Sequence, residues 1–502
     1  MQILASAAKS TIAANTSDPP RLRKELGLRD LVLAQILCVV GSAWVGIAAK
    51  LGASHVVFWL AAMLLFYLPL AAVVIYLNAA LPLEGGLYRW AKYSFGEFLG
   101  FLTAWNLWAY AIVCVASVLF VIPTDLAYLI GAGAEWIPAS RWMAVSLIGS
   151  VLLVIVLLAI SGLHFSKWLH NAGSLMISVA YAALLLLPLW SKAKGQHTAY
   201  TPIPWAVPQL SWFSLAIFGQ MTVGALSGFE YVAIMAGECK SAARTIGQSV
   251  LISAPIIALM FILGTSSVLA FVGDRPINLI GPIPQTFRLA FGGDSNWAAP
   301  AAISLLLMRA MAAASLIFTG LTRLPMTAGW DHLLPSWFNA LHPRWKTPVN
   351  SILFVAVLVI VLVVLSTAGV HEQEAMQLLQ NATTAHYGVS YVILFAIPLF
   401  AGHKFSLPAW LRWLSVGGLA SSLIAVFIAV YPVIDVSNPV TYAAKIAGVV
   451  LTSNGLAFLV YYSWGSKTQS ILNRISVPCG REHTARHAGW PGRPPQAPHR
   501  SE

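Results

Sequence analysis

The sequence predicts an all-α integral membrane protein, and three observations carry that expectation. Hydrophobic residues make up 58% and charged residues 9% of 502, with mean hydropathy +0.77, a balance that no water-soluble domain of this length could present at its surface. Apolar runs of roughly 20 residues, enough to cross about 30 Å of hydrocarbon, recur along nearly the whole chain. The runs are continuously apolar rather than alternating, and backbone in lipid must satisfy its own hydrogen bonds, so they are helices and not barrel strands.

Twelve spans are expected: 31–49, 56–81, 98–122, 141–162, 170–190, 212–237, 247–273, 298–325, 349–369, 380–401, 410–434 and 440–465. Lys and Arg set the orientation. With the N-terminus inside, the cytoplasmic side collects Lys9, Arg21, Arg23, Lys24 and Arg29, then Arg89, Lys92, Lys167, Lys240, Arg244, Arg323, Arg344, Lys346, Lys404 and Arg412, and the C-terminal tail. The opposite side receives Lys50, Arg141, Lys192, Lys194, Arg275 and Arg288. An even count returns the chain to the cytoplasm, and the net charge of +12 follows from loops that hold topology, with no nucleic acid partner implied. Residues 1–29 read as a cytoplasmic N-terminal tail, 30–465 as one twelve-helix domain, and 466–502, rich in Pro, Gly, His and Arg, as a disordered basic cytoplasmic tail.

Cys38 and Cys114 fall inside spans and Cys239 and Cys479 on the cytoplasmic side, so no disulfide framework is implied. The histidines show no metal-ligand spacing, and neither a phosphate-binding GxxxxGK[ST] loop nor a GxSxG nucleophile turn is present. An ATP-driven pump or a hydrolase therefore has no support, and no cofactor or metal is expected.

Two spans are interrupted. Span 6 contains "TVGALSGFEYVAIMAGE", in which Gly224, Ser227 and Gly228 weaken the helix immediately before the carboxylate of Glu230. Span 1 reads "LAQILCVVGSAWVGIAAKLG", with Gly41, Ser42 and Gly46 at about half its length. A transporter must hold a polar solute near the midplane, and a continuous helix has already used its amides and carbonyls on itself. Unwinding a few residues frees them, so that a half-helix N-terminus aims its positive dipole at an anion and the carbonyls aim at a cation. Spans 1 and 6 each open a group of five helices, the placement expected of an inverted repeat. Small residues also serve close helix packing, the plainer explanation of either stretch alone.

Four stretches resemble the amino acid, polyamine and organocation (APC) superfamily of permeases: "GSAWVGIAAKLG", "LPLEGGLYRWAKYSFGEFLGFLTAW" at 81–105, "SGFEYVAIMAGECKSAARTI" at 227–246, and "TRLPMTAGWDHLLPSWFNALHPRWKTP" at 322–348. Their order and spacing are similar too, over roughly residues 24–465. The resemblance implies a LeuT-like fold, helices 1 to 5 and 6 to 10 as inverted repeats with discontinuous helices 1 and 6, plus two C-terminal helices. It implies that a substrate carboxylate is bound by backbone amides at Gly41, Ser42, Ala43, Trp44 and Gly46, and a substrate ammonium by carbonyls at Gly224, Ala225, Leu226 and Ser227. Ala43 stands where a glycine is usual, and "CKSAARTI" replaces the usual Lys-Asn-Pro form after Glu238. In some proton-coupled members a lysine of helix 5 takes the place of a sodium ion; the corresponding "NAGSLMISVAYAA" at 171–183 contains no lysine, which speaks against that route.

Glu230 is then the leading candidate for coupling, since a charged acid at membrane depth costs about 2.5–3.5 kcal/mol on insertion scales and so tends to be protonated or paired. It matches a glutamate to which similar antiporters assign proton sensing. Arg309 lies about 16 Å into span 8 by the helical rise and is expected to pair with Glu230 or reach a vestibule, ahead of direct contact with an anionic substrate. Asn106, Gln220, Asn381, Thr384 and His386 are polar groups within spans that either line a cavity or join helices. Trp44, Trp105, Trp108 and Tyr110 are candidate gates, and Arg323, Asp331, Arg344 and Lys346 topology or gate contacts.

The expected function is secondary active transport of an amino acid across the plasma membrane by alternating access, through proton symport or exchange. The expected partners are the small-molecule substrate, protons and membrane lipid. A polyamine or other organic-cation carrier is the alternative and would need further acids facing the cavity. A non-transporting sensor on the same scaffold is a third reading, disfavoured by the lack of a recognisable signalling domain in the tail.

Overall fold

The structure is a computed structural model that describes residues 27–81, 86–195, 200–229, 242–291, 297–327 and 336–475. Among these residues every regular element is helical and no strand occurs. Ten described helices are long and apolar enough to cross a membrane: α3 (Gly52–Ala80), α5 (Glu97–Ile130), α6 (Arg141–Ser161), α7 (Leu163–Ala193, apolar from Trp168), α9 (Ala242–Val272), α11 (Ala298–Thr327), α12 (Val349–Ser366), α13 (Glu372–Phe405), α14 (Ala409–Ile428) and α15 (Pro439–Ile475). The pair α1 (Leu28–Val39) and α2 (Ser42–Ala49), bent by 46°, makes an eleventh if taken as one span. Three further helices of eight residues or more are α4 (Leu87–Phe95), the shorter apolar α8 (Trp212–Ala225) and α10 (Pro282–Phe291). The sixth expected span is described only as far as Phe229, and Glu230, Cys239, Lys240, Asp331 and Cys479 lie outside the described residues.

Several helix ends depart from the expected spans: α7 begins at Leu163 ahead of 170, α14 ends at Ile428 short of 434, and two helices are longer where they bury polar groups. Helix α5 runs past the expected end at 122 through Pro123, Thr124 and Asp125, because Thr124 and Asp125 are buried rather than solvated. Helix α13 starts at Glu372, ahead of the expected 380, since its first turns bury Gln377 and Gln380 on an inward face that an apolar window does not count. Helix α15 continues beyond 465 to Ile475.

Burial ranks the helices. In α5, 89% of the most apolar stretch is covered by protein, whereas α15 is covered over 11%, which puts α5 at the centre of the bundle and α15 at its edge. Helix α5 packs along α11 and α13, while α1 lies against α7, α9 and α11. These central helices touch closely because the contacts are small: a Cβ added to Gly173 of α7 would fall 2.2 Å from Ala312 of α11. Outer faces carry exposed Leu64, Leu153, Leu251 and Phe427, as a surface facing hydrocarbon requires. The centre of the bundle thus holds α1, α2, α5, α8, α11 and α13 around the two interruptions.

Candidate functional site

At the first break, α1 stops at Val39, and Val40 and Gly41 turn extended (φ −78°, ψ 105° and φ −115°, ψ 143°) before Ser42 begins α2. Both conformations are open to any residue, so the break is not forced by backbone chemistry alone. The opening N–H groups of a helix have no partner within it, and here they belong to Ser42, Ala43 and Trp44.

The second break is made differently. Helix α8 widens from an α-helix into a π-turn over Gln220–Ala225, where Leu226 N–H donates to Met221 O at 3.2 Å and Thr222 O at 3.1 Å. Ser227 and Gly228 then leave the helix, with Gly228 at φ +119°, a region that side chains rarely enter. The Gly228 N–H, freed from helical bonding, donates to the Tyr391 hydroxyl of α13 at 3.1 Å.

Trp44 joins the two breaks. Its Cδ1 and Nε1 lie 2.9 and 3.0 Å from where a Cβ on Gly41 would stand, and its Cη2 and Cζ3 lie 2.8 and 2.9 Å from a Cβ on Gly224. One indole therefore reaches from the first interruption to the second, and both glycines are needed to admit it. A cavity opens beside the ring, lined by Gly41, Ser42, Ala43, Trp44, Gly224 and Ser227 of the two breaks, together with Arg309. With Tyr110, which also lines it, eight of the residues singled out by sequence are thus brought together. Ala225 and Leu226 are buried without lining the cavity. Gly46 serves packing: a Cβ there would stand 2.8 Å from the Pro282 ring of α10, so its role is the close approach of α2 to α10.

Arg309 is buried (6% exposed) and donates from Nη2 to the carbonyls of Val40 and, at 3.4 Å, Leu37. It thereby caps the carbonyl end of α1 while also lining the cavity, and its expected partner Glu230 lies outside the described residues. A charge-assisted hydrogen bond contributes about 1.5–3 kcal/mol, which offsets most of the roughly 2.5–3.5 kcal/mol that a charged side chain costs at the centre of a bilayer. Its Nε has no partner among the described residues. The Tyr181 hydroxyl of α7 donates to Gly41 O at 3.3 Å, so both break residues have a carbonyl bound by a distant side chain.

Residues 29–452 match the family described as amino acid permease. The chain belongs to that family. This permease is also similar to an uncharacterized transporter of Legionella pneumophila (25% identical over 348 residues, 68% of this chain and 73% of that protein). A probable agmatine/putrescine antiporter of Lactococcus lactis is 23% identical over 273 residues (53% and 56%), and a glutamate/serine transporter of Bacillus subtilis 23% over 382 residues (66% and 64%). The permease is a multi-pass membrane transporter with APC-type relatives.

Within the permease, the lesser polar candidates mostly bind one another. Gln220 Nε2 donates to Asn381 Oδ1 at 2.8 Å, and Asn381 Nδ2 donates to the Tyr442 hydroxyl at 3.0 Å. Asn106 Nδ2 donates to Asn454 Oδ1 at 2.7 Å, and its own Oδ1 shares a hydrogen bond of 3.0 Å with His386 Nδ1. Interhelical bonding accounts for these four groups. Thr384 donates to Gln380 O at 2.9 Å, and its Oγ1 would meet a Cβ on Gly224 at 3.3 Å. Tyr110 lines the cavity and stacks on Tyr387 with centroids 3.6 Å apart, while Trp105 and Trp108 do not line it. Arg344 lies over the Trp345 ring at 5.0 Å, and Arg323 and Lys346 are likewise away from the cavity.

Sequence reasoning passed over Cys114 and Ser117 of α5 and Met376, Gln380 and Thr383 of α13, all of which line the cavity. The signal was there: each set recurs at three or four residues, one face of a helix, and Ser117 bridges the faces through Met376 Sδ at 3.6 Å.

Proposed function

We propose that this permease is a secondary active transporter of amino acids, with twelve spans, a LeuT-like inverted repeat of five plus five helices and two C-terminal helices. It works in the plasma membrane with both termini cytoplasmic and with 466–502 as a basic tail. The two interrupted helices alternate access to the cavity, driven by proton symport or by exchange.

The observation that supports this reading is the polarity of the cavity. At one end stand the free amides of Ser42, Ala43 and Trp44, at a helix N-terminus that favours an anion. The second break contributes the carbonyl end of the π-turn at Gly224 and the hydroxyl of Ser227, which favour an ammonium. An α-amino acid presents those two groups. Arg309 is the one charged side chain among the described lining residues. A polyamine would bring two positive charges to a lining that holds a fixed cation and no acid among the described residues, which disfavours that reading. Glu230, outside the described residues, remains our candidate for the coupling acid.

Uptake into proteoliposomes tests this, with radiolabelled amino acids and polyamines offered with and without an inward proton gradient, to the natural chain and to Glu230→Gln. Amino acid accumulation that follows the gradient and is lost in Glu230→Gln is the expected result. Polyamine uptake without amino acid uptake would overturn the substrate class. Counterflow that ignores the gradient and survives the substitution would make the protein an exchanger and Glu230 a structural acid.

A further inference from the structure

A chain of four side-chain amides, Asn381, Gln220, Gln377 and Gln380, links α13 with α8 and ends at the cavity. It starts at the Tyr431 carbonyl, beyond the end of α14, which accepts from Asn381 Nδ2 at 3.5 Å. A backbone carbonyl can only accept, so Asn381 turns its NH2 group that way, toward the Tyr442 hydroxyl as well, and its Oδ1 the other way. Each later amide is oriented by the one before it. Gln220, which opens the π-turn of α8, donates from Nε2 to Asn381 Oδ1 at 2.8 Å and to Gln377 Oε1 at 3.3 Å. Gln377 Nε2 then donates to Gln380 Oε1 at 2.8 Å. The Gln380 NH2 group is left over, with no partner among the described residues, on a side chain that is 2% exposed and lines the cavity. Two hydroxyls that also line the cavity are turned to accept: Ser117 donates its proton to Met376 Sδ at 3.6 Å and Thr383 donates its own to Leu379 O at 2.7 Å, so each keeps its lone pairs.

We infer that Gln380 reads the side chain of the substrate: its NH2 group donates to an oxygen there, so the permease selects amino acids with a hydroxyl, carboxamide or carboxylate in the side chain over alkyl side chains of the same shape. The discrimination comes from burial. A donor this deep is costly to leave unpaired, and an alkyl side chain that excludes water from the cavity leaves it unpaired. The backbone groups at the two breaks meet atoms common to every amino acid and make no such distinction. The inference rests on the amino acid reading of the cavity and adds the class of side chain to it.

The experiment uses pairs of equal shape: threonine against valine, and asparagine and aspartate against leucine. Each is offered radiolabelled to proteoliposomes, and unlabelled to the purified protein, whose thermal midpoint reports binding. The natural chain is expected to favour the oxygen-bearing member of at least one pair by roughly 5- to 150-fold in Vmax/KM, and that member should raise the midpoint more than its alkyl partner does. The pair with the largest ratio tells hydroxyl, carboxamide and carboxylate apart. Gln380→Met, similar in length but without a donor, should bring the ratio close to one, chiefly by losing the oxygen-bearing member. Gln380→Asn keeps an amide but is one methylene shorter, so it cannot hold Gln377 and reach the substrate together, and the ratio should fall here too.

A natural chain that takes up amino acids with a ratio near or below one in every pair would overturn the inference and leave the amino acid reading standing. So would a folded Gln380→Met protein that keeps the natural ratio. If Gln380→Met does not fold, Gln380→Asn decides, and an unchanged ratio there overturns the role of Gln380. Neither uptake nor stabilisation by any of the five amino acids would sink the amino acid reading and this inference with it.

Discussion

The two helix breaks reach a similar end by opposite means. At the first, the backbone adopts extended angles that any residue accepts, and the departure from helix is held by side chains far away in sequence, Arg309 and Tyr181. At the second, the departure is local: a π-turn, a small residue and then a glycine at φ +119°, with the Tyr391 hydroxyl as a tie to another helix. The first break is imposed by tertiary partners, and the second is written into its own segment. Damage should follow that division.

The largest effect is expected from Gly228→Val. A β-branched residue in that backbone region costs of order 1–3 kcal/mol, and the new Cβ would meet Val39 Cγ2 at 3.3 Å. Uptake should be nearly abolished and the yield of folded protein reduced, both measured in membranes. Near-normal uptake would mean that the second break is not set by its glycine.

Gly41→Ala comes next, and its cost has another origin. The backbone there tolerates alanine, so the harm comes from Trp44, 2.9 Å from the new Cβ. In a Trp44→Leu background, Gly41→Ala should therefore cost little further stability, whereas Gly228→Val should cost as much as before. Thermal midpoints of the four combinations read this as a double-mutant cycle, and additive losses for Gly41 and Trp44 would break the distinction between the two breaks.

Smaller losses are expected from the hydroxyls. Tyr391→Phe removes the partner of the buried Gly228 N–H and should lower stability by about 0.5–1.5 kcal/mol. Tyr181→Phe should cost less, because the bond it removes is long at 3.3 Å. A Tyr181 effect larger than that of Tyr391 would show that the first break leans on its neutral tie as well as on its cation.

What the sequence disclosed follows the same line. The spans are readable because apolar runs must be helices in lipid, and the second break is readable because Gly224, Ser227 and Gly228 stand in the segment they deform. The partner of Arg309 was not readable. Sequence pointed to Glu230, a vestibule or the substrate, while the described acceptors are the carbonyls of Leu37 and Val40, and backbone acceptors have no letter of their own. The reach of Trp44 across to Gly224 was hidden for a related reason, since residues 180 apart in number meet only once α2 and α8 are packed. Asp125 escaped notice because it lies past the expected end of its span at 122, yet α5 continues and buries it beside Gly281.

The guanidinium at the first break also bears on how the carrier draws on membrane voltage. A sodium ion bound there would cross with each cycle and stay behind, and each elementary charge crossing a membrane at 100 mV releases about 2.3 kcal/mol. An arginine belongs to the chain and is carried back with it, so over a complete cycle it moves no net charge. The charge that holds the first break thus stays with the chain.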